Sequence, residues 1–168
     1  MKSNIVLIGM PAVGKSTIGV LLAKSLLRSF VDTDLIIQSE YGCGLCNIIE
    51  KEGTDAFLKI ENDVILSQDY RMSVVATGGS AVYGDEAMAH LKKDGTVIYL
   101  RLSLGEIEKR IGNIHTRGVA MKNGTTLREL YDERTPLYNM YADITVDCEG
   151  KTAEETVEEI VGKLGVRS

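Results

Sequence analysis

"NIVLIGMPAVGKST", residues 4–17, joins an apolar run to a glycine-bearing turn and then to the helical pattern of "IGVLLAKSLL". Asn4 to Ile8 shows no polar alternation, the pattern of a parallel strand covered on both faces. Gly9 to Ser16 matches G-x-x-x-x-G-K-[ST] in full. A loop of this kind turns backbone N–H groups inward toward phosphate oxygens, and the helix that follows adds the positive end of its dipole. Gly9 and Gly14 permit the tight path, and Ala12 and Val13 complete the cradle. Lys15 is placed to reach the β- and γ-phosphates, Ser16 to offer a hydroxyl to Mg²⁺, and Thr17 to stand in the first helical turn near the α-phosphate.

Outward from this loop, Val- and Ile-rich runs alternate with segments of helical period, which predicts an α/β fold with a parallel sheet. The strands are expected at Asn4 to Ile8, a short "FVD" at Phe30 to Asp32, Ser73 to Thr77, Thr96 to Leu102 and Asp143 to Asp147. Helical spacing covers Lys15 to Leu27, Thr54 to Ser67, Asp85 to Lys93, Ser103 to Ile111, Thr126 to Tyr141 and Ala153 to Leu164. Ser103 and Thr152 read as N-caps, with Glu106 and Glu155 three residues on as capping-box partners. Each return to the sheet is a right-handed crossover. Gly112 to Thr126 has three glycines, little periodicity and two basic residues, and reads as a long functional loop.

With 168 residues and neither repeat nor linker, the chain is expected to form one domain, 1–168, with five parallel strands flanked by helices. The net charge of −5 argues against broad nucleic-acid binding. No apolar run approaches the ~20 residues of a membrane span, and the one before Gly9 is too short for a signal peptide. Cys43, Cys46 and Cys148 form no disulfide framework, so the expected home is the cytoplasm. The "CGLC" pair at 43–46 reads as two small residues at a turn and helix start rather than half a metal or redox site. A monomer acting on a small molecule is the expectation.

The loop alone does not say what receives the phosphate. No guanine signature is present, and "VDTD" at 31–34 puts Asp32 and Asp34 at the carboxyl end of the second strand, where an open parallel sheet forms its ligand crevice. In extended chain the two carboxylates point the same way. One then positions Mg²⁺ and the other holds or deprotonates a hydroxyl. Either acid also suits a helix N-cap.

Taken together, "GMPAVGKST", "VDTD", "GTDAFLKIE", "ATGGSAV", "TRGVA" and "ERTPLY" resemble, in order and spacing, the shikimate kinases, over nearly the whole chain. The resemblance implies a nucleoside-monophosphate-kinase-like P-loop domain that uses ATP and Mg²⁺ to phosphorylate a ring hydroxyl of shikimate, a step in aromatic amino acid biosynthesis. It implies an acceptor-binding region at about 33–62 and a lid loop at about 112–125. Asp34 is then the acid that grips the acceptor hydroxyls and the candidate base, and Asp32 the magnesium-side acid. Gly78 and Gly79 begin a turn that lets backbone amides approach the acceptor, with Ser80 third. Arg117 corresponds to the lid arginine, Arg134 to the arginine that binds the acceptor carboxylate, and Arg110 to a position packed on adenine. From the residues alone, Arg117 could swing over the phosphates and exclude water. Arg134 suits a bidentate carboxylate grip or an exposed ion pair with Asp132 or Glu133.

Three positions depart from the resembling pattern. Leu58 stands where an arginine that contacts the acceptor is expected, Ser80 replaces a third glycine, and Gly118-Val119-Ala120 replaces Pro-Leu-Leu. All lie on the acceptor side. Two alternatives therefore stand beside shikimate: a similar kinase for another hydroxylated metabolite, such as an amino-acid or sugar-acid alcohol, and a nucleotide-binding regulatory module with little transfer activity.

Overall fold

The computed structural model describes residues 2–112 and 118–165. Five strands, β1 (Asn4–Ile8), β2 (Ser29–Asp32), β3 (Ser73–Ala76), β4 (Gly95–Arg101) and β5 (Ile144–Asp147), form one parallel sheet in the order β2-β3-β1-β4-β5. Every residue of β1 and β3 is buried, which accounts for their unbroken apolar character. The register pairs Leu7 of β1 with Ala76 of β3 and with Ile98 of β4. The chain leaves β1 toward β2 and leaves β3 toward β4, in opposite directions along the sheet. A crevice opens between two such strands at their carboxyl ends, and the loops after β1 and β3 form its walls.

Helices α1 (Lys15–Ser25), α4 (Thr54–Ser67), α5 (Asp85–Asp94), α6 (Leu104–Ile111), α7 (Leu127–Tyr141) and α8 (Ala153–Leu164) match the expected segments to within two residues at each end. Two further helices, α2 (Thr33–Tyr41) and α3 (Leu45–Glu52), and a 3-10 turn at Ala81–Tyr83, lie outside the segments read from helical period, and only the start of α3 was anticipated, at the "CGLC" pair. Both helices are short and closed by glycine: α2 ends on Gly42 in the left-handed region, and α3 lies between Gly44 and Gly53. Length alone does not hide them, since α6 is as short; α6 is announced by the Ser103 cap, whereas α3 starts on Gly44 with no side-chain cap.

The capping boxes differ in one place. At α8, Thr152 and Glu155 cap each other reciprocally, and Thr126 and Glu129 do the same for α7. At α6 the Ser103 hydroxyl accepts the Glu106 amide, but Glu106 turns to Lys109, and Glu149 takes the Ser103 amide at 3.2 Å. The expected box is therefore half made.

A second, smaller core joins Ile37 of α2, Ile48 of α3, and Phe57 and Val64 of α4 to Ala120 beyond α6. It fixes α2, α3 and α4 as an arm beside the crevice. Cys43 lies in the turn and Cys46 in the first turn of α3, as the sequence suggested, and neither is in a disulfide. Among the described residues no group of three or more His, Cys, Asp or Glu is placed to hold a metal, and no helix is long and apolar enough to cross a membrane.

Candidate active site

The loop after β1 takes the expected path. Gly9 has φ +148°, and a Cβ there would come within 2.7 Å of the Leu100 carbonyl oxygen. Gly14 has φ +101° and starts α1. Ala12 also adopts a left-handed φ of 67°, a conformation in which a side chain costs on the order of 1 kcal/mol. Val13 contributes differently from its neighbours: its side chain is buried in the main core and its amide donates to the Met10 carbonyl at 3.4 Å.

Lys15 Nζ donates to the Gly9 and Met10 carbonyls at 2.7 and 2.9 Å, which leaves one of its three protons for a phosphate oxygen. Burial lowers its pKa to about 8, with Arg134 adding to the shift and Asp34 opposing it most strongly.

Asp32 uses its two oxygens differently. Its Oδ1 accepts the amides of Asp34 at 3.0 Å and Leu35 at 3.4 Å, capping α2, while its Oδ2 accepts the Ser16 hydroxyl at 2.6 Å. Asp34 is not in extended chain but in the first turn of α2, which corrects the geometry inferred from alternation. The helical turn carries its carboxylate into the crevice, where burial and then Asp32 raise its pKa to about 6. Ser16 and Asp32 place two hard oxygen donors side by side at the mouth of the loop. That donor set fits Mg²⁺, which binds one or two protein oxygens along with water and substrate phosphates.

The turn after β3 works otherwise than expected. The Gly78 amide donates to Thr33 Oγ1 at 3.3 Å, so it is not directed at an acceptor. Gly78 is glycine because a Cβ would press on the Glu61 and Asp34 carboxylates, and Gly79 because a Cβ would lie 2.8 Å from Arg134 Nη1 and 3.1 Å from Pro11. Ser80 lines the cavity, but its hydroxyl donates to Glu61 Oε1 at 2.7 Å.

Arg134 is 1% exposed and has no ion pair among the described residues. Its Nη2 donates to the Ala120 carbonyl at 2.6 Å, its Nε to the Tyr83 hydroxyl at 3.4 Å, and the guanidinium lies 5.4 Å from the Tyr83 ring centre. The ion pair with Asp132 or Glu133 is not formed; Glu133 instead accepts the Tyr83 hydroxyl at 2.6 Å. Lys15, Ser16, Thr17, Asp34, Gly78, Gly79, Ser80 and Arg134 line one cavity of about 310 Å³. Arg110 lies on α6 outside that lining, 4.0 Å from Glu106. Arg117 falls outside the described residues. Beyond it, Gly118 packs on Leu45, Ala120 is buried, and the Met121 carbonyl accepts Thr54 Oγ1 at 3.0 Å.

Leu58 does not line this cavity. It borders a neighbouring one of about 280 Å³ with Tyr83, Met121 and Glu133, so among the described residues the cavity has Arg134 as its one arginine.

Three contributors escaped the sequence reading. Glu61 is 2% exposed, and burial and then Asp34 raise its pKa to about 7. Tyr138, one turn beyond Arg134 on α7, donates to the Gly79 carbonyl at 2.6 Å, a pairing that i,i+4 spacing on a helix face would have signalled. Thr33 holds Gly78; no local pattern marks it.

A parallel sheet with a phosphate loop on its central strand, a serine and aspartate set for a divalent cation, and a buried arginine in the same cavity define a P-loop kinase of small molecules. The family model described as "SKI: Shikimate kinase" matches residues 11–165, and the chain belongs to that family. The shikimate kinase of Thermodesulfovibrio yellowstonii is 39% identical over 161 residues, covering 94% of this chain and 92% of that protein. Among solved structures, shikimate kinase from Acinetobacter baumannii in complex with shikimate matches with a TM-score of 0.89 and 30% identity, covering 96% of this chain and 92% of that one. Shikimate kinase from Aquifex aeolicus matches with a TM-score of 0.81 and 32% identity, covering 96% of each chain. The protein is thus an ATP-dependent kinase that uses Mg²⁺, and the reading as a regulatory module falls away.

Proposed function

We propose that the chain transfers the γ-phosphoryl group of ATP to a ring hydroxyl of shikimate, giving shikimate 3-phosphate. The observation that carries this reading is Arg134, a buried guanidinium with no ion pair among the described residues, facing the same cavity as Asp34 and Lys15. A buried cation left unpaired is costly, and an acceptor carboxylate supplies the missing charge through two parallel hydrogen bonds.

With its carboxylate on Arg134, the acceptor presents a hydroxyl to Asp34. Asp34, ionised at neutral pH with a pKa near 6, orients that hydroxyl and takes its proton as the bond to phosphorus forms. Lys15 follows the charge that develops on the transferred group. Ser16 and Asp32 would hold Mg²⁺, which would supply neutralisation of the phosphate charge. Residues 33–62 form the acceptor arm, residues 112–125 the lid with Arg117 closing over the phosphates, and Arg110 packs on adenine. The protein acts as a cytoplasmic monomer with no nucleic-acid partner.

The displaced Leu58 favours a second reading, a related kinase for a less anionic hydroxylated acid. ATP consumption measured against shikimate and a panel of hydroxylated acids decides between them. Saturable phosphorylation of shikimate with the highest kcat/KM supports the first reading, and a higher kcat/KM for another acid overturns it.

A further inference from the structure

Glu61 is a buried carboxylate that the reaction above does not use. It lies on α4, and its Oε1 accepts the Ser80 hydroxyl at 2.7 Å. Its Oε2 is buried and has no hydrogen-bond partner among the described residues. Glu61 Oε2 and Asp34 Oδ1 crowd the same face of Gly78, since a Cβ built there would touch both. Two carboxylates thus converge on one point of the acceptor crevice.

The groups that act on Glu61 are Asp34 from α2, Lys15 from α1, Arg134 from α7 and the Ser80 hydroxyl. Helices α3 and α5, which also pack on α4, turn Ile48, Ala87 and Met88 inward. Tyr83 of the 3-10 turn is engaged with Glu133 and Arg134. No Lys or Arg among the described residues forms an ion pair with Glu61. Leu58, one turn before it on α4, supplies no cation to that face.

We propose that Glu61 is a positioning residue of the acceptor pocket: Ser80 holds its Oε1, a proton stays on Oε2 while an anionic acceptor is bound, and ionisation of Glu61 and acceptor binding oppose each other. The inference rests on the acceptor being a carboxylic acid held by Arg134. A buried carboxylate beside Asp34 and a second anion is unfavourable in a site with so few cations, whereas the neutral acid is not. The direction of the Glu61 titration, raised to about 7 by burial and Asp34, agrees. By linkage, whatever the bound anion adds to that shift returns as weaker acceptor binding above neutral pH. Ser80 tunes the pair, because its hydrogen bond favours the ionised form and so limits the shift.

The test is the shikimate KM from pH 6 to 9 at saturating ATP in the wild type, Glu61→Gln and Ser80→Ala. An acceptor-bound pKa one unit above the free value gives a rise in wild-type KM of about tenfold across this range. In Glu61→Gln this rise is absent, and in Ser80→Ala it begins at higher pH. A flat wild-type profile, the same rise in Glu61→Gln, or a rise beginning at lower pH in Ser80→Ala overturns the proposal. No phosphorylation of shikimate at any pH overturns the acceptor reading instead. The carbon-13 carboxyl titration of the ligand-free protein then decides for Glu61: a resonance lost in Glu61→Gln that titrates near 7 supports its neutral state, and one near the ordinary 4.5 overturns it.

Discussion

Arg134 and Tyr138 stand one turn apart on α7 and fix Gly79 from two sides. The Tyr138 hydroxyl donates to the Gly79 carbonyl at 2.6 Å, and Arg134 Nη1 lies 2.8 Å from where a Gly79 Cβ would be. The arginine proposed to meet the acceptor is therefore seated against the turn that forms the wall of the crevice. Gly79→Ala pushes the guanidinium out of place, because Pro11 and the Gly9 carbonyl block relief on the other side. The expected result in steady-state kinetics is a shikimate KM raised about tenfold, with the ATP KM changed less.

Tyr138→Phe tests the same wall from the other side chain, whose hydroxyl also acts on Arg134. Tyr138 is fully buried, and loss of its hydroxyl deprives the Gly79 carbonyl of a donor inside the protein. The cost is about 1–3 kcal/mol, a fall of several degrees in Tm by thermal melting.

How much of this was legible in the sequence depended on how local each feature is. Gly9 to Ser16 could be read because loop, strand and helix lie within one stretch. Asp32 caps α2, one of the two roles read for it, but Asp34 was placed in extended chain because "VDTD" was read as the continuation of the second strand. Glu61 looks like the polar face of a helix. Its burial comes from the turn after β3, which the order β2-β3-β1 brings across residues distant in sequence. Arg134 could be read as an exposed ion pair or as a buried ligand-binding group, and the choice followed from the face that α7 turns inward, which its near neighbours in sequence do not specify.

The two oxygens of Asp32 have separable duties. Asp32→Asn retains an oxygen to cap α2 but removes the charge beside Ser16, so activity shifts to higher Mg²⁺ concentration while Tm is nearly kept. Asp32→Ala also loses the cap to the Asp34 and Leu35 amides and costs about 1 kcal/mol more. Magnesium titrations of activity alongside melting curves separate the effects. Equal Tm losses in both variants would show that the cap does not depend on the side-chain oxygen.

The raised pKa of Glu61 is also a statement about stability. The folded protein holds this proton to about pH 7, whereas an unfolded chain releases it near 4.5. Between those values the folded state binds more protons, so stability falls as pH rises and levels off above 7. Glu61→Gln removes this slope. Relative to the variant, the wild type is expected to lose up to roughly 3 kcal/mol across the interval, from the size of the shift. Asp34 contributes a slope of the same sign, and because the two carboxyls act on each other the difference between the two proteins' denaturant-derived stabilities at pH 5 and pH 7.5 reports Glu61 together with its coupling to Asp34.

Leu58→Arg asks whether leucine at this position is a loss in a shikimate kinase or a fit to another acid. The new guanidinium starts from a cavity bordered by Tyr83, Ala120 and Glu133, and Ala120 also lines the acceptor cavity, so the two spaces adjoin. It stands one turn from Glu61 and supplies the cation that face lacks. If shikimate is the acceptor, a charge-assisted contact of ~1.5–3 kcal/mol lowers its KM by one to two powers of ten. Pairing with Glu61 also draws that carboxyl toward its ordinary pKa, so the expected rise of KM with pH flattens. An unchanged KM together with a flattened pH profile places the arginine on Glu61 but outside reach of the acceptor. If both stay unchanged, Glu133 has captured it across the smaller cavity, and the double variant Leu58→Arg, Glu133→Gln then has to recover the gain for the pocket assignment to stand.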